Sequence, residues 1–172
     1  EHPVAGATVV CNRVIEGRAA VDTTGEDGRF ELNGLWASGQ LGVLAVGPDG
    51  ETAWGMPCDP DFALEPVFEL APLTGVEFAV TGLPEPAPEE TIVGFACSDY
   101  FPRPSASAVA AFHFTFSEEI LADADGHCRA ERLVPGLEYE AYLVVNGQRG
   151  GYAGFVAQPG PEPMRVELQA PQ

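Results

Sequence analysis

The chain contains no lysine, and basic residues of any kind are scarce. Eight arginines stand against 26 acidic residues, so the formal net charge at pH 7 is −18. Without lysine the protein has no Schiff-base chemistry and cannot form the lysine–asparagine isopeptide crosslinks of some bacterial surface modules. A surface this acidic repels nucleic acid and anionic membranes. We therefore expect no nucleic-acid partner.

Long hydrophobic runs are also missing. No stretch approaches the roughly 18 apolar residues of a membrane span, and the start of the chain lacks the apolar core of a signal peptide. We expect no membrane span, and we expect Glu1 to be a processed N-terminus from which a leader has been removed. These features favour a secreted, cell-surface or periplasmic protein.

Residue patterns that carry catalysis are absent too. The three histidines, His2, His113 and His127, are scattered, and the chain has no nucleophile elbow, phosphate-binding loop or HExxH metal motif. Each histidine is expected to be an ordinary surface residue. The sequence predicts that the protein is not an enzyme and that it needs no cofactor.

What the chain does contain is an internal repeat. The stretch 27–32 (Asp-Gly-Arg-Phe-Glu-Leu) matches 125–130 (Asp-Gly-His-Cys-Arg-Ala) at an offset of 98 positions, and the match continues downstream. Such self-similarity indicates two copies of one folding unit. We place the boundary at 71–73, which predicts a first domain over residues 1–72 and a second over residues 73–172.

The short segments between glycines and prolines alternate in polarity as β-strands do, and helical periodicity is nearly absent. The sequence therefore predicts an all-β protein. Phe112, Phe114 and Phe116 are expected to share one face of a strand in the second core. Asp49-Gly50 and Asn146-Gly147 are expected to form type I′ hairpin turns. The predicted strands cover 8–11, 18–23, 29–32, 42–46, 51–54, 67–70, 76–81, 92–97, 111–116, 128–132, 140–145, 151–156 and 165–168.

Several of these segments carry a family resemblance. The stretches 3–9 (Pro-Val-Ala-Gly-Ala-Thr-Val), 27–32 and 34–35 resemble the carboxypeptidase regulatory-like domain, and 124–126 and 133–139 are similar to the same family. The resemblance implies two tandem transthyretin-like (prealbumin-like) domains, each an Ig-like, seven-stranded Greek-key β-sandwich. It also implies a non-catalytic part of a secreted or surface protein.

One departure from the family concerns its leading strand, which normally precedes the Pro-x-x-Gly-Ala segment. The second domain supplies this strand at 75–83, whereas the first has almost nothing before Pro3. Either residues ahead of Glu1 have been removed, or the first domain lacks one strand.

The four cysteines fall two in each domain, and no CxxC spacing indicates a metal or redox site. We predict two structural disulfides, Cys11–Cys58 and Cys97–Cys128, which are typical of an oxidising compartment. The alternative is that the cysteines are buried free thiols.

Calcium is the metal that the acidic turns suggest. Asp123 and Asp125 place oxygen ligands on a turn, as do the stretches 22–27 and 59–61, although none has the full EF-hand spacing. Turn-forming Asp-Gly pairs explain the same residues without a metal.

A segment with Tyr100, Phe101 and Arg103 belongs to an insertion that only the second copy contains, and we expect it to be an interaction loop. Trp54 and Tyr152 occupy equivalent repeat positions, which favours a shared packing role over a sugar-binding platform.

These features predict a structural protein, namely a subunit of a surface filament, layer or larger envelope complex. The alternative is a carbohydrate- or protein-binding accessory module of a secreted hydrolase. A missing strand would leave a sheet edge open to a strand from another chain. The tail after Leu168 or an unrelated partner could donate that strand, or the loop 55–63 could cover the edge within the chain.

Overall fold

The computed structural model describes residues 2–15, 18–33, 42–55, 67–84, 90–97 and 117–170. These residues form eleven β-strands and no helix, which confirms the all-β prediction. Nothing in them is a helix long and apolar enough to cross a membrane. The strands are β1 (Thr8–Ile15), β2 (Arg18–Thr23), β3 (Val43–Val46), β4 (Thr52–Gly55), β5 (Thr74–Thr81), β6 (Thr91–Cys97), β7 (Ser117–Leu121), β8 (His127–Leu133), β9 (Glu138–Val145), β10 (Gln148–Val156) and β11 (Met164–Gln169).

The described residues divide into two compact units. Those up to Pro72 belong to the first unit, and those from Leu73 onward belong to the second. Each unit has its own buried apolar residues, as expected of a separate folding unit.

The first unit contains one described sheet, with strand order β2-β1-β3-β4 and antiparallel neighbours throughout. Val9, Val43 and Ala45 are buried on one face of this sheet. Two segments outside the strands, 29–33 and 67–71, cover that face with partly buried hydrophobic side chains. We call these two segments the cover segments.

The second unit contains two sheets, one with order β10-β9-β6-β7 and one with order β11-β5-β8. Phe78 of β5 is fully buried and lies 5.8 Å, ring centroid to centroid, from Phe95 of the other sheet and from Phe155. Tyr139 stacks on Phe155 at 5.5 Å, and its hydroxyl accepts a hydrogen bond from the Val134 N–H. The two sheets therefore enclose an aromatic core, and the seven strands form a β-sandwich.

The four-stranded sheets of the two units have the same topology. β1, β2, β3 and β4 correspond to β6, β7, β9 and β10, because the order β2-β1-β3-β4 reproduces β7-β6-β9-β10. The turn before the second segment of the repeat is also the same. Gly25 N–H donates to Arg29 O and Gly28 N–H to Gly25 O. At an offset of 98, Asp123 N–H donates to His127 O and Gly126 N–H to Asp123 O.

Most predicted strands are confirmed, and the differences are local. The stretches 29–32 and 67–70 are not strands, although their side chains alternate between partly buried and exposed. β7 was not predicted, because Ser117–Leu121 is a largely exposed strand at the end of its sheet and lacks alternation. Residues 111–116 lie outside the described residues.

One of the two predicted type I′ turns is confirmed. Asn146 and Gly147 have φ values of 50° and 76°, as that turn requires. Asp49 does not have a positive φ, so the type I′ prediction for Asp49-Gly50 is wrong. The reason is loop length, since β3 ends at Val46 and β4 begins only at Thr52.

Two further predictions are not supported, namely a disulfide in the second unit and donation of a strand by the C-terminal tail. Cys128 carries a free thiol, and no two cysteines among the described residues lie at disulfide distance, so the Cys97–Cys128 disulfide is not supported. Cys97 lies in β6 and Cys128 in β8, which belong to different sheets. Cys58, and with it the Cys11–Cys58 prediction, lies outside the described residues. The described residues of the tail after Leu168 are not a free donor, because Gln169 pairs with Thr81 of β5 and Ala170 N–H donates to Thr81 O.

Candidate assembly site

The candidate site is the place in the first unit that corresponds to β5 of the second unit. β5 is the middle strand of its sheet, parallel to β11 on one side and antiparallel to β8 on the other. Its side chains alternate, with Thr74, Val76, Phe78 and Val80 buried. One strand therefore satisfies the backbone groups of both neighbours and fills the centre of the core.

In the first unit, the cover segments stand where β8 and β11 stand in the second. At the offset of 98 established by the turn hydrogen bonds, 29–33 corresponds to 127–131, and 67–71 to 165–169. Phe30, Leu32, Phe68 and Leu70 pack on the sheet, while the residues between them are exposed. No strand of the described residues lies between the two cover segments.

Within the part of the chain that the structure describes, no backbone ladder joins the cover segments to each other or to a strand. Among the described residues, no backbone hydrogen bond outside the strands involves Phe30, Leu32, Phe68 or Leu70. The two segments therefore do not pair with each other in place of the strand. At the ends of the two segments, Arg29 O accepts a hydrogen bond from Gly25 N–H, and Ala71 is bridged to Thr52 of β4.

Two backbone N–H groups of the first cover segment are satisfied by side chains. Arg29 N–H donates to Asp27 Oδ1 at 3.1 Å. Glu31 N–H donates to the Asp22 carboxylate at 2.5 Å. This hydrogen bond, with a second from the Thr23 backbone, holds the pKa of Asp22 below its ordinary value. Asp22 thus serves a structural hydrogen bond.

The side chains that flank the central residue of β5 differ in size from their equivalents in the first unit. In the second unit Phe78 pairs with Cys128 on one side and Val166 on the other. The equivalent flanking residues of the first unit are Phe30 and Phe68, whose ring centroids lie 6.0 Å apart. Both rings are larger than the Cys128 and Val166 side chains to which they correspond.

The end of the site is marked by a glycine in both units. A Cβ on Gly126 would meet the Val80 carbonyl oxygen at 2.9 Å, whereas one on Gly28 would meet Pro3 Cβ at 2.9 Å and Val4 N at 3.2 Å. Pro3 and Val4 therefore lie against Gly28 as the end of β5 lies against Gly126.

The predicted calcium residues form an ordinary turn. Asp123 Oδ1 accepts hydrogen bonds from the Asp125 N–H at 3.0 Å and the His127 N–H at 2.8 Å. Within the described ranges there is no group of three or more His, Cys, Asp or Glu residues that could hold a metal ion. Calcium binding by Asp123 and Asp125 stays a prediction.

Most of the remaining predicted site residues fall outside the described part of the chain. Tyr100, Phe101 and Arg103 lie outside the described residues, as does most of the loop 55–63 that we considered as a cover. Tyr152 is 60% exposed, so it does not pack in the core as its repeat position suggested.

A polar cluster that no sequence pattern indicated lies on the outer face of the β10-β9-β6-β7 sheet. The Tyr142 ring lies over Gly94, where any Cβ would collide with it, and the Arg149 guanidinium carbon lies 3.8 Å from the ring centroid. Tyr142 also donates a hydrogen bond to Glu119 at 2.9 Å. Burial, followed by this hydrogen bond, raises the pKa of Tyr142.

No model of a known protein family matches the chain, and no curated protein matches it either. Among solved structures, the chain is similar to two variants of the shaft pilin SpaA from Lactobacillus rhamnosus GG. One has a TM-score of 0.38 and 11% sequence identity, covering 96% of this chain and 84% of the pilin chain. The other has a TM-score of 0.37 and 12% identity, covering 99% and 93%. Similarity of this degree identifies neither a family nor a function.

Proposed function

We propose that the chain is a non-catalytic structural protein of the cell exterior or periplasm, built from two tandem copies of one β-unit. In this role it is a subunit of a surface filament, layer or larger envelope complex. Its first unit joins the assembly by accepting a β-strand from another polypeptide. One observation carries the proposal: the cover segments flank the place of β5 without a described strand between them.

Addition of a strand would pair the backbone groups of the two cover segments. Unpaired N–H and C=O groups beside apolar side chains are costly when water is excluded, and each net hydrogen bond gained contributes about 0.5–1.5 kcal/mol. An incoming strand pairs with both cover segments at once, as β5 pairs with both β8 and β11. The same strand would bury the partly buried side chains beneath it.

The accessory-module alternative has one observation in its favour. Tyr152 is 60% exposed on β10, near the Tyr142–Arg149 stack, and an open tyrosine ring can stack against a sugar. One face of the Tyr142 ring lies over Gly94 and Arg149 stacks on the ring, so Tyr152 is the more accessible of the two. A carbohydrate ligand would perturb Tyr152 and leave the cover segments unchanged.

Amide hydrogen exchange on the full chain tests the proposal, because the second unit supplies matched controls. We expect the amides of Phe30, Leu32, Phe68 and Leu70 to exchange much faster than those of their equivalents at 128, 130, 166 and 168. Equal protection in the two sets would mean that the cover segments are already paired within the chain. That result would remove the basis for strand addition.

A further inference from the structure

We propose that the outer face of the β10-β9-β6-β7 sheet is a docking surface for a basic protein partner, which places a lysine or arginine side chain beside Glu140. This surface belongs to the second unit and is separate from strand addition at the first unit, so either proposal can fail without the other. Three properties of the face carry the proposal, namely its exposed apolar side chains, a depression beside Glu140 and its negative charge.

The two outer faces of the sandwich differ in character. On the β11-β5-β8 sheet, outward side chains form ion pairs. The Arg165 Nε lies 3.7 Å from the Glu77 carboxylate, and the Arg129 Nε lies 3.2 Å from the Glu131 carboxylate. Charged side chains of this kind are the ordinary covering of a face that stays in water. This face therefore needs no partner.

The outer face of the β10-β9-β6-β7 sheet exposes apolar side chains instead. Of the six large hydrophobic side chains that are exposed among the described residues, three belong to this sheet: Leu121 at 63%, Tyr152 at 60% and Val156 at 41%. Leu121 pairs with Ile92 and Val156 with Glu138, on the side away from the core. Apolar side chains that are concentrated on one exposed face and rimmed by polar ones mark an interaction surface.

A depression in this face lies beside Glu140. Glu140 pairs with Gly154 on one side and Ala96 on the other, so its two cross-strand neighbours have almost no side chain. A Cβ on Gly154 would meet nothing within 4 Å, which means that the space there is open. Tyr152 and Val156 come two residues before and after Gly154 in β10, so their side chains border the depression. The depression thus combines a carboxylate with two apolar walls.

A lysine or arginine side chain matches this combination. Its methylene stem can lie against Tyr152 and Val156 while its charged end reaches the Glu140 carboxylate. The exposed Tyr152 ring also attracts a cation, because the face of an aromatic ring is electronegative. A neutral ligand would use the ring without using the carboxylate.

Charge also favours a basic partner over an acidic one or a second copy. Glu119 and Glu140 are both exposed on this face. Arg149 is the one basic residue in the four strands, and its guanidinium carbon already lies 3.8 Å from the centroid of the Tyr142 ring. The whole chain carries a net charge of −18, so two copies repel one another and a basic protein is attracted.

The test uses the isotope-labelled 172-residue chain and follows its amide resonances during titration. The probes are a basic peptide, acetyl-Val-Arg-Tyr-Arg-Val-amide, its acidic counterpart, acetyl-Val-Glu-Tyr-Glu-Val-amide, and the neutral sugar maltohexaose. We expect the basic peptide to shift the amides of 94–96, 138–142 and 152–156 and to bind at least about fivefold more tightly than the acidic peptide. Raising the salt from about 50 mM to about 500 mM should weaken its binding.

Two pairs of variants examine the charge and the depression separately. Glu140→Lys should reverse the preference between the peptides, whereas Glu167→Lys, the same change at an exposed residue of β11, should not. Gly154→Leu fills the depression and should weaken the basic peptide at least about fivefold. Gly160→Leu is its control, because a Cβ there also meets nothing within 4 Å. All four positions are exposed, so the variants should fold, and urea unfolding checks that they do.

Other results would overturn the proposal. If the basic peptide shifts no amide on this face, binds no more tightly than the acidic one, or binds equally to Gly154→Leu, the depression does not take a basic side chain. Shifts at Tyr152 caused by maltohexaose and by neither peptide would identify a sugar-binding surface instead. Self-association of the chain that shifts the same amides would assign the face to a second copy. None of these results bears on strand addition, because the amides concerned belong to the second unit.

Discussion

Replacing Gly126 with alanine should destabilise the second unit far more than the same change at Gly147. Both glycines have left-handed backbone, with φ values of 81° and 76°. They differ in surroundings: a Cβ on Gly126 would lie 2.9 Å from the Val80 carbonyl oxygen, and one on Gly147 would meet nothing within 4 Å. The pair therefore separates steric cost from backbone cost.

The magnitudes follow from these contacts. Left-handed backbone costs alanine about 1–2 kcal/mol, and the less flexible unfolded chain offsets about 0.4–1 kcal/mol of that. Gly147→Ala should thus cost about 1 kcal/mol. At Gly126 the overlap also displaces the end of β5 and weakens the 2.8 Å hydrogen bond from Val80 N–H to Gly126 O. Together these add about 2 kcal/mol, for a total of about 3 kcal/mol.

Urea unfolding of the 172-residue chain measures the difference, with the two variants compared at a constant denaturant slope. The two midpoints should be clearly separated, with Gly126→Ala the lower. If the free energies of unfolding of the two variants fall by the same amount to within about 0.5 kcal/mol, the turn at Gly126 does not pack closely against β5. The correspondence between Gly28 and Gly126 would then lose its support.

Two further predictions concern the core and the free thiol of the second unit. Phe78→Ala removes a fully buried ring and should lower the free energy of unfolding, measured in urea, by about 3–5 kcal/mol. Val67→Ala, at a position 83% exposed, should change it by less than about 0.5 kcal/mol. Similar losses in the two variants would contradict the burial of Phe78. Burial, and then the charge of Asp123, raise the pKa of the Cys128 thiol from 9.0 to about 11, so its stabilising contribution is present below pH 9 and is lost as the pH rises through 11. Alkylation followed by peptide mass spectrometry should give Cys128 a midpoint about two pH units above that of the denatured chain, and equal midpoints would refute the shift.

Local patterns predicted most of the strands because alternation is a property of neighbouring residues. The cover segments show that alternation alone does not make a strand. Their alternation is real, yet 29–32 and 67–70 are not strands, because a strand also needs a partner that the local pattern does not reveal. β7 shows the converse, since a partner on one side makes Ser117–Leu121 a strand without alternation.

The candidate site was only partly predictable for the same reason. The repeat and the resemblance left two alternatives for the first copy, namely that residues ahead of Glu1 have been removed or that the first copy lacks the leading strand. The position of the site between two segments, and the exchange of Cys128 and Val166 for Phe30 and Phe68, required the sheet pairing of the second unit. Cysteine spacing likewise could not reveal that Cys97 and Cys128 lie in different sheets.

The first unit shows how side-chain packing covers a sheet face. An exposed apolar sheet face must be covered, and side-chain packing can cover it without a backbone ladder because dispersion and hydrophobic contacts are not directional. Phe30 and Phe68 are large enough to keep the cover segments on Val9, Val43 and Ala45 without a strand like β5 between them. Backbone groups instead require an aligned partner, and in the first cover segment the carboxylates of Asp22 and Asp27 provide one for two N–H groups. A strand that enters the site should therefore change amide protection much more than it changes the buried apolar area.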